Sequence, residues 1–265
     1  MDLRARERWT NAVFGTALSL VEWALSAQPN LRWSARYDGA GAGAASDYLQ
    51  HVALDAAGDI YVTGTKNSAL FSSDWWTAKL AGLDGALLWE VFNPTAGISE
   101  AQGLILGTNS EVFTFAYTFT LGPPPVAALT TRKLAAGDGA ILWEHRRPRA
   151  DRAFSLLHQM AADAAGNVYV LGTSTSADRA VDFLVIGISA SGRTLFDITY
   201  GEPGLADDSP SAIAVDAAGL PVVGGYVHHP GTQFNWDFGV IRLGPGIFAD
   251  GFENGDLSAW SAVQP

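Results

Sequence analysis

The chain has 265 residues, 48% of them hydrophobic, enough for one substantial core or an array of repeats. A formal net charge of −11 argues against general nucleic-acid binding, which neutralises phosphates with Lys and Arg. There is no cysteine, which excludes disulfides, thiolate catalysis and Cys-ligated zinc.

The first element is a leader. Arg4, Arg6 and Arg8 precede an apolar run, Ala12 to Val21, and then Glu22-Trp-Ala-Leu-Ser-Ala27. Residues 1–27 therefore read as a secretory signal peptide cut after Ala27, which places the mature chain outside the cytoplasm, whether secreted, periplasmic or on the cell surface. The competing reading is an amphipathic helix capping the fold. The run is too short to span a bilayer as a helix, and no other segment reads as a transmembrane span.

After the leader the chain repeats itself. Asp55 to Thr65 reads DAAGDIYVTGT, Asp163 to Ser174 reads DAAGNVYVLGTS, and Asp216 to Tyr226 reads DAAGLPVVGGY. In each, the Asp carboxylate can accept hydrogen bonds from the amides that follow it, and Gly58, Gly166 or Gly219 supplies the positive φ of a tight turn. Alternating apolar residues after the turn and a short apolar stretch before it make each copy a β-hairpin. The closely spaced acids of an EF-hand loop are missing, so the Asp is a turn residue and not a calcium ligand. Asp55 and Asp163 lie 108 residues apart, two periods, and a degenerate copy, Leu104 to Tyr117, fills the slot between them with Gly107 and Ser110 where the turn Asp and Gly would stand.

A second anchor follows each hairpin: DWWTAKLAGLDGALLWE from Asp74, ALTTRKLAAGDGAILWE from Ala128, DFLVIGISASGRTLFD from Asp182, and a shorter DFGVIRLG from Asp237. Lys79 and Lys133 are 54 apart, Asp163 and Asp216 are 53 apart. Each period thus carries four strands, the signature of propeller blades. Trp89, Trp143 and Phe196 recur in the fourth strand and are expected to pack between blades, while Trp75, Phe183 and Phe238 share a core position in the third. The expected architecture is an all-β propeller of about four blades over residues 28–246, followed by a tail at 247–265. The last repeat lacks a fourth strand of its own, and Leu31–Tyr37, with Trp33 in the aromatic slot, is expected to complete it and close the ring. A monomer is expected, with a dimer of eight blades as the open alternative.

This pattern of an Asp-x-x-Gly hairpin, an Asp-Phe third strand and Gly-x-x-Leu-Trp resembles the bacterial SBBP-type propeller repeat and the related delta-60 repeat over about residues 31–243. The resemblance implies an extracytoplasmic bacterial propeller with no assigned activity and no catalytic residues to carry over. Gly-x-x-Leu-Trp is also similar to quinoprotein repeats, in architecture alone. The tail segment IFADGFENGDLSAW, from Ile247, resembles one found near the C-termini of exported bacterial proteins; its acids read as a solvated tail or an edge-covering strand before they read as cation ligands.

Candidate site residues fall into three groups. Asp47, Glu100, Asp151 and Asp208 precede the hairpins and, around a ring, would converge on the channel as a site for calcium or another cation; capping of local turns is the plainer reading, and no other cofactor is implied. Phe234 and Trp236 have no repeated counterpart and are free to act as contacts. Arg146, Arg147, Arg149 and Arg152 form a basic island suited to an anionic partner, or a solvated loop. No nucleophile elbow, P-loop or HExxH motif is present. The reading is a binding or scaffold module for protein or glycan; the alternative is a polysaccharide hydrolase or lyase using acids that converge at the channel mouth.

Overall fold

The computed structural model describes residues 31–36, 46–69, 72–93, 97–108, 110–149, 157–175, 181–201, 207–228 and 236–244. The segments expected as signal peptide and acidic tail lie outside them. Among the described residues there is no helix, and fifteen strands fall into four antiparallel units. Unit one comprises β1 (Tyr48–Leu54), β2 (Ile60–Ala69), β3 (Ser72–Leu80) and β4 (Leu87–Phe92). Unit two comprises β5 (Gly97–Leu106), β6 (Val112–Thr120), β7 (Val126–Leu134) and β8 (Ile141–Arg149). Unit three comprises β9 (Leu157–Ala162), β10 (Val168–Thr175), β11 (Val181–Ile188) and β12 (Thr194–Tyr200). Unit four has only β13 (Ser209–Val215), β14 (Pro221–His228) and β15 (Trp236–Arg242). A single parallel bridge between Ser73 and Ile98 joins the first two units into one sheet.

The hairpin turns form as their sequence dictates. Asp55 Oδ1 accepts from the amides of Ala57 and Asp59, Asp163 Oδ1 from Ala165 and Asn167, and Asp216 Oδ1 from Ala218 and Leu220, all at 2.8–3.0 Å. Gly58, Gly166 and Gly219 sit at φ of 81–86°, where only glycine is unstrained. The degenerate copy makes the same hairpin, with Ser110 taking a positive φ of 58° and its amide donating to the Gly107 carbonyl at 3.2 Å. Three of the four turns are then tied to the third strand by a cation at one repeated position. Lys79 pairs with Asp55 and Asp59, Lys133 with Glu111, and Arg242 with Asp216. Unit three has Gly187 there, and Asn167 Nδ2 donates to Asp163 Oδ2 at 2.7 Å instead.

The units pack front to back. Inner strand β1 lies against β5, β5 against β9, and β9 against β13. The front of each unit, its third strand and the adjoining part of its second, is buried by the unit that follows. Trp75 packs with Ala101 and Ala116; Phe115 and Leu129 with Met160 and Val170; Leu171, Phe183 and Val185 with Ile213 and Val223. Fully burying a side chain of this kind contributes roughly 1.5–3 kcal/mol. At the first junction the contact is partly polar. Trp75 Nε1 donates to Thr63 and Thr114 hydroxyls, and the buried Arg132 lies over the Trp75 ring, reaching Asn93 at 2.8 Å and Glu144.

Fourth-strand aromatics latch the outer edges, as their repetition predicts. Trp89 Nε1 donates to the Ala136 carbonyl of unit two, and Trp143 Nε1 to the Ala190 carbonyl of unit three, both at 3.0 Å. A Cβ on Gly139 would come within 2.6 Å of Trp89 and one on Gly192 within 2.8 Å of Trp143, so glycine is what lets the indoles seat. Phe196, lacking an N–H, stacks on Tyr169 of its own unit at 6.0 Å between centroids.

Two expectations need correction. Residues 31–36 of Leu31–Tyr37 form no strand, and β15 pairs with β14 alone among the described residues, so the sheet of unit four ends at an unpaired edge. Phe238 is also not a core residue: it is 87% exposed, whereas Trp75 and Phe183 at the same position are buried. The position is buried by the following unit in units one to three, and among the described residues no strand follows β15.

Candidate binding face

The uncovered front of unit four is built by strand alternation. Along β15, Trp236, Phe238 and Val240 point to one side, and Asp237, Gly239 and Ile241 to the other, where Ile241 packs toward unit three. Phe238 lies opposite Tyr226 on β14, and Trp236 opposite His228. The rings touch in those pairs: Tyr226 and Phe238 at 6.0 Å, His228 and Trp236 edge-on at 5.3 Å and 85°. Trp236 is 47% exposed and Val240 is 74% exposed, so a strip of three aromatic side chains, Tyr226, Trp236 and Phe238, with Val240 faces outward. Sequence reading singled out Trp236 and missed Phe238, because repetition made Phe238 look internal. Phe234 lies outside the described residues.

The acids expected at the channel are placed differently from one another. Asp47 lies half-buried just before β1, Glu100 is exposed on β5, and Asp208 is buried, accepting from the His228 amide at 2.8 Å. It is Ser99 that turns inward beside Glu100, accepting from Asn93 Nδ2 at 2.8 Å. Asp151 lies outside the described residues. Among those described, no three His, Asp or Glu side chains gather as a metal site.

Within the basic island the structure assigns outer-edge ties. Arg147 Nε donates to Asp197 of unit three at 2.5 Å, and His145 meets the Thr194 hydroxyl at 2.8 Å. Burial holds the His145 imidazole below its ordinary pKa, against the pull of Asp197. Arg146 points the other way and is exposed. Arg149 closes β8, and Arg152 lies outside the described residues.

The carboxylates whose titration the fold displaces all move down. Burial pushes Asp55 up, but hydrogen bonds from the Asp59 amide and Lys79 outweigh it; Lys79 holds Asp59 low; the Leu220 amide and then Arg242 hold Asp216 low. Lys79 in turn is raised by Tyr61, Asp59 and Asp55, which together overcome its burial. Tyr169 is pushed up to about 12, by burial first and Asp163 second. These shifts serve ion pairs and turns. A general acid working near neutrality needs the opposite shift.

Neither a family model nor a curated protein matches the sequence. Among solved structures, an endo-arabinase from Bacteroides thetaiotaomicron is similar at 10% identity, covering 73% of each chain with a TM-score of 0.40. An endo-1,4-beta-xylanase from the same organism is similar at 9% identity, covering 78% of each chain with a TM-score of 0.39. An exo-beta-1,3-galactanase from Clostridium thermocellum is similar at 10% identity, covering 73% of this chain and 45% of the other with a TM-score of 0.37. At TM-scores below 0.5 these likenesses carry no argument about fold or activity. The described residues form an all-β repeat array, and among them no helix is long and apolar enough to cross a membrane.

Proposed function

We propose that the chain is an exported propeller-type module, built from SBBP-like repeats as blades, whose work is binding a protein or glycan and not catalysis. One observation carries the reading: the exposed strip of Tyr226, Trp236, Phe238 and Val240, where each of the other three units buries the counterparts of Phe238 and Val240. Exposed apolar patches with aromatic anchors are how binding surfaces gain most of their energy. The turn carboxylates Asp55, Asp163 and Asp216, by contrast, are occupied with turn amides and with side-chain partners.

Binding of the full chain to immobilised glycan and protein panels tests this. Trp236→Ala is expected to weaken the bound partner by about tenfold or more, as the loss of a central aromatic anchor does. Arg146→Ala is expected to weaken only anionic partners. If the chain turns over a polysaccharide, and replacing either of two carboxylates abolishes that turnover, the hydrolase or lyase reading replaces this one.

A further inference from the structure

Among the described residues the array has two open faces, and they complement each other. At the front of unit four, Phe238 and Val240 are exposed, whereas their counterparts Phe183 and Val185 are buried by unit four itself. At the back of unit one, Leu49 is 61% and Val52 58% exposed. Their counterparts are buried by preceding units: Ala101 by Trp75, Leu104 in the first junction, Met160 against Phe115 and Leu129, Ile213 against Phe183. The turn tier shows the same asymmetry. Gly166 meets the Glu111 carboxylate of unit two and Gly219 the Asp163 carboxylate of unit three, while a Cβ on Gly58 would meet nothing within 4 Å. Farther out on the back of unit one, Val62, Trp76 and Ala78 are already buried, so the opening lies along inner strand β1.

Both faces are open in the same chain, so its own unit four does not cover its own β1. We infer that a second copy does: the front of unit four, Phe238 and Val240 with Tyr226 and Trp236, docks on β1 of the second copy, at Leu49 and Val52, and its unit four docks on β1 of the first. The contact continues an interface the molecule already makes three times, third strand of one unit on inner strand of the next. Because the two faces differ, the junction is heterologous, and two identical junctions about a two-fold axis join the copies into one closed series of eight units. The inference rests on the reading of this strip as a binding surface and names its partner.

Sedimentation of the full chain, from low micromolar to on the order of 100 µM, covers the range where a standard-size interface assembles. The expected mass is twice the 28.0 kDa of one chain. Phe238→Asp and Val52→Asp, each at an exposed site that keeps its melting temperature, are each expected to halve that mass. Mixed one to one they regain it, because the pair restores one junction with both faces intact; a symmetric face-to-face contact would not be rescued. A single-chain mass at every concentration, a dimer indifferent to Phe238→Asp, or no recovery on mixing overturns the inference. A chain that stays single yet binds a panel partner through Trp236 loses this inference and keeps the proposed function; one that dimerises and binds nothing else does the reverse.

Discussion

Phe183 and Phe238 stand at the same place in consecutive repeats, each on the third strand and each two residues before a valine. One is sealed between unit three and unit four; the other is almost fully in solvent. The residue type is constant, so the difference lies in what comes next along the array. In a repeat protein, burial belongs to the junction between units more than to any unit alone, so the same residue type is core at one position in the array and surface at another.

That contrast can be broken by substitution. Phe183→Ala is expected to cost about 3–5 kcal/mol of stability by denaturant melt, the range for emptying a filled aromatic site. Phe238→Ala in the dissociated chain is expected to fall within about 0.5 kcal/mol of wild type, as exposed substitutions do. Equal costs would mean that the two faces are equally covered. Next in size is Asp163→Ala. Its carboxylate satisfies two turn amides, Asn167 and the buried Tyr169 hydroxyl, and its loss is expected to cost about 1–3 kcal/mol, lowering the melting temperature.

Trp143→Phe tests the outer latch at the second junction. It keeps the ring and removes the bond to the Ala190 carbonyl, so about 1 kcal/mol is expected. A phenylalanine, Phe196, already stands at this position in unit three, which makes folding of the variant the expected outcome. The smallest effect is on pH. Asp55, Asp59 and Asp216 titrate lower in the folded chain than the roughly 3.9 of an unfolded Asp, so their contribution is complete above that value and is lost as pH falls through the folded values. Melting temperature should therefore fall only below about pH 4, and Asp216→Asn should flatten part of that fall.

Periodicity made the hairpins, the turn glycines and the Trp latches readable, because each is a local signal written several times. Even the second hairpin, stripped of its Asp and Gly, was placed by spacing, and Ser110 accepts the strained turn. What repetition hid is where repetition stops. Phe238 carries the sequence of a core residue, and only the missing neighbour exposes it. Leu31–Tyr37 has strand-like alternation and no ladder in residues 31–36, since an edge strand is decided by its partner. Glu100 falls one residue out of register with the inward Ser99, and in a strand one residue means the opposite face. Arg132 and Asn93, which join the first two units through a buried hydrogen bond, occur at positions with no repeated signal at all.

Because the chain has no cysteine, single thiols can report each face directly. V185C and V240C probe one repeated position, buried in unit three and open in unit four. In dilute solution the V240C thiol should react as fast as one in a short peptide and slow as concentration rises, while the V185C thiol should react only through unfolding at every concentration. Equal protection of both thiols in dilute solution, or ready labelling of both, would contradict the account.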